Sequence, residues 1–353
     1  PKISSVTLAA DNSTIAVTLN EASYKTNSGS GSLEKTDFVF SLTSGTATLS
    51  STTPSSISAA GNVYTLGITI SGTPSGSELL KVTPAENAIY DAKGNAASTT
   101  QSNNTANLKD KTAPTVSSVT TASDNKIIVV TFSESVFNTN GGSGALDSAD
   151  FAFSITGGAA TLTSATPTSI SISDNVYTLG IGLSGTPDGG EVVTVTPVEN
   201  AIYDAGGNVA STAQTNKTTS LFDQTAPNIT SVTLASDNST ISVSFSVDPV
   251  YSTNSGSGAL DSADFVLSIS GGVATLTDTL PTSLSISGST YTLGIGLAGI
   301  PNGSEVLMVL PAENAIYDAT GNPSSATQTN NSANLNDKAA PTIASVTTAS
   351  DNK

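Results

Sequence analysis

Ten residues that could bind a cation or build a turn recur three times in the sequence. The segment ENAIYDAKGN at Glu86–Asn95 returns as ENAIYDAGGN at Glu199–Asn208 and as ENAIYDATGN at Glu313–Asn322. Carboxylate and amide oxygens of this kind suit Ca²⁺, which takes about six to eight oxygen ligands. The same residues also suit a plain turn, in which Asp and Asn bond to their own backbone and Gly takes a positive φ. Both interpretations stay open, although an EF-hand is excluded because its alternating acids are missing.

A glutamate also recurs, at Glu78, Glu191 and Glu305, directly after a turn rich in small residues. A glutamic acid with a partner carboxylate is the machinery of glycoside hydrolysis. No second acid recurs at a position where it would form a pocket with this one. The sequence therefore favours an edge charge that discourages pairing between sheets.

One tyrosine recurs inside the ten-residue segment, at Tyr90, Tyr203 and Tyr317. An exposed ring could stack on a sugar, whereas a buried one keeps its hydroxyl hydrogen-bonded. The sequence favours core tyrosines over sugar-stacking platforms.

The composition excludes most catalytic chemistry. Cysteine, histidine and tryptophan are absent and all 11 basic residues are lysine, so thiolate nucleophiles, imidazole bases, Cys/His metal sites and guanidinium clamps are excluded. The 28 acids leave a formal net charge of −17, which repels nucleic acid and anionic membrane surfaces. We therefore expect neither an enzyme nor a nucleic-acid partner.

Alternating apolar residues predict β-strands. Such runs occupy four stretches of the first 111 residues: Ile15–Leu19, Phe38–Leu42, Tyr64–Ile70 and Leu80–Val82. Period two indicates strands with one buried face. Two further runs, ATLSS (Ala47–Ser51) and SSISA (Ser55–Ala59), are interpreted as one interrupted strand, because an odd strand number lets each repeat lead into the next. About seven strands per ~110 residues are typical of an antiparallel, immunoglobulin-type β-sandwich.

The whole sequence repeats with a period near 113 residues. Asp37, Asp150 and Asp264 are equivalent and lie 113 and then 114 residues apart. This period exceeds that of solenoid repeats and indicates independent domains. We predict domains at 1–111, 112–224 and 225–338, followed by the start of a fourth repeat at 339–353.

The junctions between the repeats contain proline, as in NLKDKTAPT at Asn107–Thr115 and LFDQTAPN at Leu221–Asn228. Proline makes such linkers short and stiff. The predicted fold is therefore an all-β, linear array of tandem immunoglobulin-like sandwiches, in the form of a rod. The sequence has neither an apolar run of membrane-spanning length nor an opening signal peptide, and we interpret it as a piece of something longer.

Ordered motifs give the sequence a resemblance to a known family. TAPTVSSVT (Thr112–Thr120), TFSE (Thr131–Glu134) and DAxGN occur in a fixed order with LDSADF, SGGxATL and YTLGI. This series resembles the bacterial immunoglobulin-like repeats of giant cell-surface adhesins, of the Bacteroidetes type and similar to gliding-motility adhesins. The resemblance covers the whole chain. It implies a non-catalytic stalk or filament segment of a secreted adhesin, located outside the cell at its surface.

The resemblance also implies calcium at the junctions. In a sandwich that the chain enters at one end and leaves at the other, ENAIYDAxGN and LDSADF face the preceding repeat, whose exit end offers Asp11 or Asp124. The ligands that the resemblance implies are Asp110 with Asp204 and Asn208 at the first junction, and Asp223 with Asp318 and Asn322 at the second.

The expected partners are neighbouring repeats of the same chain, further chains in a filament, and a surface or glycan ligand at a distal tip outside this segment, without membrane insertion. Two alternatives belong to other classes. Carbohydrate- or partner-binding modules would expose aromatic residues on one face. Accessory repeats of a secreted hydrolase would be flanked by a catalytic domain. The 5% aromatic content, most of it at alternating core positions, disfavours the binding modules.

Overall fold

The computed structural model describes residues 1–347, so residues 348–353 of the predicted fourth repeat lie outside the described residues. Regular structure in residues 1–347 is β-strand apart from three single-turn 3-10 helices, at Lys35–Asp37, Ser148–Asp150 and Ser262–Asp264. No helix of this part of the chain has the length and apolar character needed to cross a membrane. The all-β prediction is confirmed.

The strands of residues 1–111 are β1 (Ile3–Leu8), β2 (Thr14–Leu19), β3 (Phe38–Thr43), β4 (Thr48–Leu49), β5 (Ile57–Ala60), β6 (Val63–Gly67), β7 (Ile70–Ser71), β8 (Leu79–Pro84) and β9 (Thr105–Asn107). Those of residues 112–224 are β10 (Val116–Thr121), β11 (Ile127–Phe132), β12 (Phe151–Thr156), β13 (Thr161–Leu162), β14 (Ile170–Ser173), β15 (Val176–Gly180), β16 (Leu183–Ser184), β17 (Val192–Pro197) and β18 (Thr218–Ser220). Those of residues 225–338 are β19 (Ile229–Leu234), β20 (Thr240–Phe245), β21 (Phe265–Ser270), β22 (Thr275–Leu276), β23 (Leu284–Ser287), β24 (Thr290–Gly294), β25 (Leu297–Ala298), β26 (Val306–Pro311) and β27 (Ser332–Asn334).

The chain divides into two compact units. One comprises residues 1–155, 162–182 and 193–219, and the other comprises 156–161, 183–192 and 220 onward. The first therefore contains the first repeat and most of the second, while the other contains the third. The division into three domains stays a prediction.

Seven strands of the first repeat form two antiparallel sheets, with strand orders β1-β2-β6-β5 and β3-β8-β9. This is the arrangement of a constant-type immunoglobulin sandwich, in which strands A, B, E and D form one sheet and C, F and G the other. The same orders recur in β10-β11-β15-β14 with β12-β17-β18, and in β19-β20-β24-β23 with β21-β26-β27. The predicted immunoglobulin-like fold is confirmed.

The alternating residues fill the cores as expected. In the first repeat Ile15, Val17 and Leu19 are buried, and the rings of Phe38 and Tyr64 pack with their centroids 5.9 Å apart. A separate core in the third repeat includes buried Ile241, Val243, Phe265 and Leu307. Burial of these apolar faces is the main driving force for forming each sandwich.

The interpretation of ATLSS and SSISA as one strand is wrong. They contain β4, which pairs with β7, and β5, which pairs with β6 in a different sheet. A turn containing buried Pro54 separates them. The predicted single run Tyr64–Ile70 is divided in the same way, between β6 and β7. The two strands beyond the predicted seven, β4 and β7, pair with each other. The repeat therefore has nine strands, and the number stays odd.

A buried glutamate connects three segments at one end of each sandwich. The carboxylate of Glu78 accepts main-chain N–H bonds from Thr46 at 2.8 Å, Ala47 at 3.0 Å and Ser75 at 3.0 Å. Its main-chain oxygen accepts the N–H of Leu108, 2.9 Å away, where the chain leaves the sandwich. The loops before β4 and before β8 and the last strand are therefore joined through one residue, which we call the glutamate clamp.

The clamp recurs in the other repeats. Glu191 accepts from Ala159 and Ala160 at 2.9 and 2.8 Å, and Glu305 accepts from Val273 and Ala274 at 2.8 and 3.0 Å. All three glutamates are fully buried. In each repeat, a glycine of the loop before β4 or its equivalent packs its backbone against the glutamate carboxylate. This glycine has a positive φ, and a Cβ added to it would overlap the carboxylate. The small residues of SGGxATL are therefore required by the clamp.

The clamp keeps its carboxylate ionised. Burial alone would raise the pKa of Glu78, but main-chain N–H donors, that of Ala47 foremost, lower the pKa to about 2 from an ordinary 4.5. For Glu305 the N–H of Ala274 is the largest influence and likewise lowers the pKa to about 2. The pKa of Glu191 is also lowered, because its N–H donors outweigh its burial. The interpretation of these residues as edge charges is wrong, and an ionised, enclosed carboxylate does not suit a glycosidase acid.

Replacing Glu78 by Ala should reduce the free energy of unfolding by about 1–3 kcal/mol, because buried N–H groups lose their acceptor. Glu86→Ala is the matched control, since Glu86 is exposed, and should change that free energy by less than about 0.5 kcal/mol. Differential scanning calorimetry of the full chain measures both. A Glu78→Ala chain as stable as the control would contradict a stabilising clamp.

Candidate cation site at the repeat junctions

The ten-residue segment folds as the turn that its residues predict. The Asp91 carboxylate accepts main-chain N–H bonds from Lys93 and Asn95 at 2.8 and 2.9 Å, and the Asn95 side-chain amide donates to it at 2.7 Å. Gly94 has a φ of 84° and approaches the backbone of Asn27 too closely for a side chain. The segment lies between β8 and β9, as expected for the loop that joins the last two strands.

The tyrosine of this loop is half-buried at the end of the sandwich. The hydroxyl of Tyr90 donates to the main-chain oxygen of Asn87 at 2.8 Å, and those of Tyr203 and Tyr317 make the same bond in their repeats. The hydrogen-bonded hydroxyl is confirmed. The fully buried core position is not observed, because Tyr90 is half-buried, and its main chain pairs with that of Tyr24.

LDSADF reaches the same end as the ten-residue loop. Residues Ser148–Asp150 form a 3-10 helix whose capping box joins the side chains of Asp147 and Asp150 to main-chain N–H groups. The main-chain oxygen of Asp150 accepts the N–H of Val198, which precedes ENAIYDAGGN. Both acidic side chains therefore stabilise the loop.

Side-chain hydrogen bonds fix the first linker to the end of the first repeat. Asn12, which is buried, exchanges two hydrogen bonds of 2.8 Å with the main chain of Lys109. Asp110 accepts the N–H of Thr112 at 2.8 Å, and the Thr112 hydroxyl donates to the main-chain oxygen of Pro74 at 3.0 Å. These bonds restrict the linker beyond what its proline does alone.

Three carboxylates converge at this linker. Oxygens of Asp110, Glu134 and Asp204 lie within 4.8 Å of one another, the only group of this kind among residues 1–347. Asp204 is fully buried and the other two are half-buried. Burial, followed by the charges of Asp204 and Asp110, raises the pKa of Glu134. A bound cation would relieve this repulsion.

Asn208 lies beside the carboxylates as a donor. Its side-chain amide donates to Asp204 at 2.8 Å and to the main-chain oxygen of Thr112 at 3.5 Å. Of the predicted ligands, Asp110 and Asp204 are therefore brought together and Asn208 orients Asp204. The three carboxylates supply oxygens of the hard type that Ca²⁺ prefers.

Glu134 was missed as a ligand by sequence reasoning. Glu134 follows β11 within TFSE. Repetition is a weak signal for this residue, because its equivalent in the third repeat is Val247 and not an acid. The sequence predicts Asp11 and Asp124 near the junctions, but within residues 1–347 they belong to no group of three carboxylates. Asp11 accepts hydrogen bonds from Ser13, and Asp124 pairs with a lysine.

The second junction has fewer acidic groups. Asp318 is buried and accepts the Asn322 amide at 2.8 Å, while the same amide donates to the main-chain oxygen of Asp223 at 3.1 Å. Burial opposes ionisation of Asp318, but bonds from Asn322 and its neighbours outweigh it and lower the pKa. The position of Glu134 is taken by Val247, so this junction lacks the third carboxylate. The ligand assignment at both junctions stays a prediction.

No protein-family model matches the sequence, and no curated protein matches it at a significant level. Among solved structures, the chain is similar to FdeC, an Escherichia coli adhesin, at 15% identity and a TM-score of 0.34, covering 95% of this chain and 93% of that chain. It is similar to the I9–I11 tandem of titin at 10% identity and a TM-score of 0.25, with 92% and 91% covered. Similarity to domains 1–6 of the surface layer protein SbsC is at 12% identity and a TM-score of 0.21, with 97% and 55% covered.

Proposed function

We propose that this chain is a non-catalytic stalk segment of a large secreted bacterial cell-surface adhesin. The observation that carries the proposal is the recurrence in every repeat of one immunoglobulin-like sandwich with the same glutamate clamp and the same ENAIYDAxGN turn. Such a design extends a chain by adding modules. It does not require a reacting group in any of them.

The lack of histidine, cysteine and arginine supports a mechanical role, because few groups remain that could act as nucleophile or general base at neutral pH. We place the segment outside the cell, between a cell surface and a distal tip that binds a surface or a glycan. The order of motifs further suggests an adhesin of the Bacteroidetes type, similar to gliding-motility adhesins.

The main alternative is a carbohydrate-binding module. Such a module needs aromatic rings on an accessible face. Among residues 1–347, Phe222 is the one aromatic residue with a largely exposed side chain, and the half-buried tyrosines of the ten-residue loops already bond their hydroxyls to their own loops. This distribution favours the stalk.

We further propose that Ca²⁺ stiffens the first junction. Asp110, Glu134 and Asp204 supply the charge, and the cation would join the linker to the loops that follow it. The second junction, which has Val247 in place of Glu134, would bind Ca²⁺ more weakly. Stiffening would therefore differ between the two junctions.

Pulling the full chain in a single-molecule force experiment tests the stalk. We expect three unfolding events, each releasing roughly 35–40 nm of chain, because the proposed stalk consists of three repeats that unfold separately. Glu191→Ala should lower the force of one event and leave the other two unchanged. One event that releases the whole chain, or extension without resistance, would contradict a stalk of independent modules.

Calorimetric titration of the full chain with CaCl₂ tests the cation proposal. We expect one strong site per chain, lost in Glu134→Gln and retained in Glu86→Gln, which makes the same charge change at an exposed position. Val247→Glu should create a second strong site by restoring the missing carboxylate. Binding that is absent from the wild type, or unaffected by Glu134→Gln, would refute the calcium proposal while leaving the stalk intact.

A further inference from the structure

The four-stranded sheets end at an open edge. In the second repeat β14 pairs with β15 on one side and has no strand on its other side within the described residues, and β23 has the same position in the third repeat. Two other edge strands of the first repeat have a main-chain group bonded from outside their sheet. The N–H of Ile3 on β1 is bonded by the Gln101 side chain, and the N–H of Phe40 on β3 is bonded by the main chain of Thr52.

The register shows which main-chain groups point to the open edge. β14 and β15 join through a two-residue turn, with Ser173 opposite Val176 and Ser171 opposite Thr178. In a hairpin of this length these pairs exchange the ladder hydrogen bonds. The N–H and C=O groups of Ile170 and Ile172 therefore point outward, as an edge strand presents them to another chain.

The side chains of this edge border an apolar groove. Ile172 lies opposite Tyr177 on the core-facing side of the sheet, but 43% of it is exposed. It lines a groove of about 390 Å³ together with Val136, Leu146 and Tyr177. The hairpin residue Asp174 lies at the same groove and is its one charged residue. In the third repeat Ile286 is 47% exposed and lines a groove of about 590 Å³. A strand added at this edge would place its own apolar side chains over the groove.

The edge sequence is complementary to itself. SISIS at Ser169–Ser173 and SLSIS at Ser283–Ser287 alternate serine with an aliphatic residue, and this serine–aliphatic pattern is the same in both chain directions. An antiparallel pair centred on Ser171 would set Ile170 opposite Ile172 of the second copy. Those residues carry the outward main-chain groups, so the pair would form about four hydrogen bonds. Apolar side chains would meet on one face and hydroxyls on the other.

The edge lacks the charge that would oppose pairing between two copies. The chain as a whole carries a net charge of −17, which by itself repels a second copy. Neither β14 nor β23 contains a charged residue, and natural edge strands are commonly protected from pairing by charge or proline. The first repeat has Ala59 where the others have Ile172 and Ile286, so its edge offers less apolar surface.

We propose that two copies of this chain associate edge to edge, β14 pairing antiparallel with β14 of the second copy. β23 offers the same kind of contact to β23 of a further copy. Each contact has only about four hydrogen bonds and is therefore weak. This interaction joins stalks laterally. It does not depend on the proposed stalk function, which a chain that stays monomeric would leave intact.

Disulfide trapping tests the register, because the chain has no cysteine of its own. At the centre of the pair, Ser171 faces Ser171 of the second copy at a Cα separation of about 4.5 Å, within the range of a disulfide. Under mild oxidation, Ser171→Cys should form covalent dimers at least about tenfold faster than Ser118→Cys, an exposed control on β10. Equal rates would overturn the proposal.

Charged variants separate this edge from other apolar surfaces. In the Ser171→Cys chain, Ile172→Lys should suppress trapping, whereas Ile300→Lys, which makes the same charge change at a residue that is 61% exposed, should not. Thermal melting checks that both variants stay folded. Trapping lost equally in both variants would overturn the edge assignment.

Sedimentation velocity of the unmodified chain completes the test. We expect dimerisation that strengthens with concentration and weakens at least about tenfold in Ile172→Lys/Ile286→Lys, with Val273→Lys/Ile300→Lys as the control of equal charge change. A wild-type chain that remains monomeric at about 1 mM, where even weak specific contacts are populated, would overturn the inference.

Discussion

A buried, ionised glutamate is the interaction on which each repeat of this chain depends. Glu78, Glu191 and Glu305 lie at positions without solvent contact, and each carboxylate would be strongly unfavourable there without its main-chain donors. The donors come from two loops that would otherwise leave buried N–H groups without an acceptor. The clamp and the loops therefore require each other, and the small residues around them follow from that requirement.

The clamp also connects the core to the junctions. The main-chain oxygen of Glu78 bonds to Leu108, and Asn12 bonds to Lys109, so the last strand and the start of the linker are held by the same end of the sandwich. In the third repeat the pairs Glu305–Leu335 and Asn238–Asn336 repeat this arrangement. A load carried along the linker would reach hydrogen-bonded backbone before it reached the apolar core, which suits the proposed stalk.

The sequence predicted the features that depend on local pattern. The alternation of apolar and polar residues correctly predicted that Ile15, Val17 and Leu19 are buried on one face of a strand. The turn predicted for DAxGN was confirmed by the hydrogen bonds of Asp91 and Asn95. It failed where three-dimensional environment decides the role of a residue. The residue type and spacing of Glu78 do not reveal which backbone groups surround its carboxylate. The segments before and after Pro54 join different sheets, and the local sequence pattern does not show this. Glu134 was missed because its partners lie in distant segments and its position does not recur in the third repeat.

Carboxyl-resolved NMR titration of Glu78 and Glu305 measures the clamp most directly. Because the folded pKa lies below the ordinary 4.5, the clamp contributes its full stability above pH 4.5 and loses it as the pH falls towards 2. We expect midpoints of about 2 for both carboxyls, with the amide signals of Ala47 and Ala274 shifting at the same pH. Midpoints near 4.5 while the chain remains folded would show that these carboxyls are not held by main-chain donors, and would contradict the account.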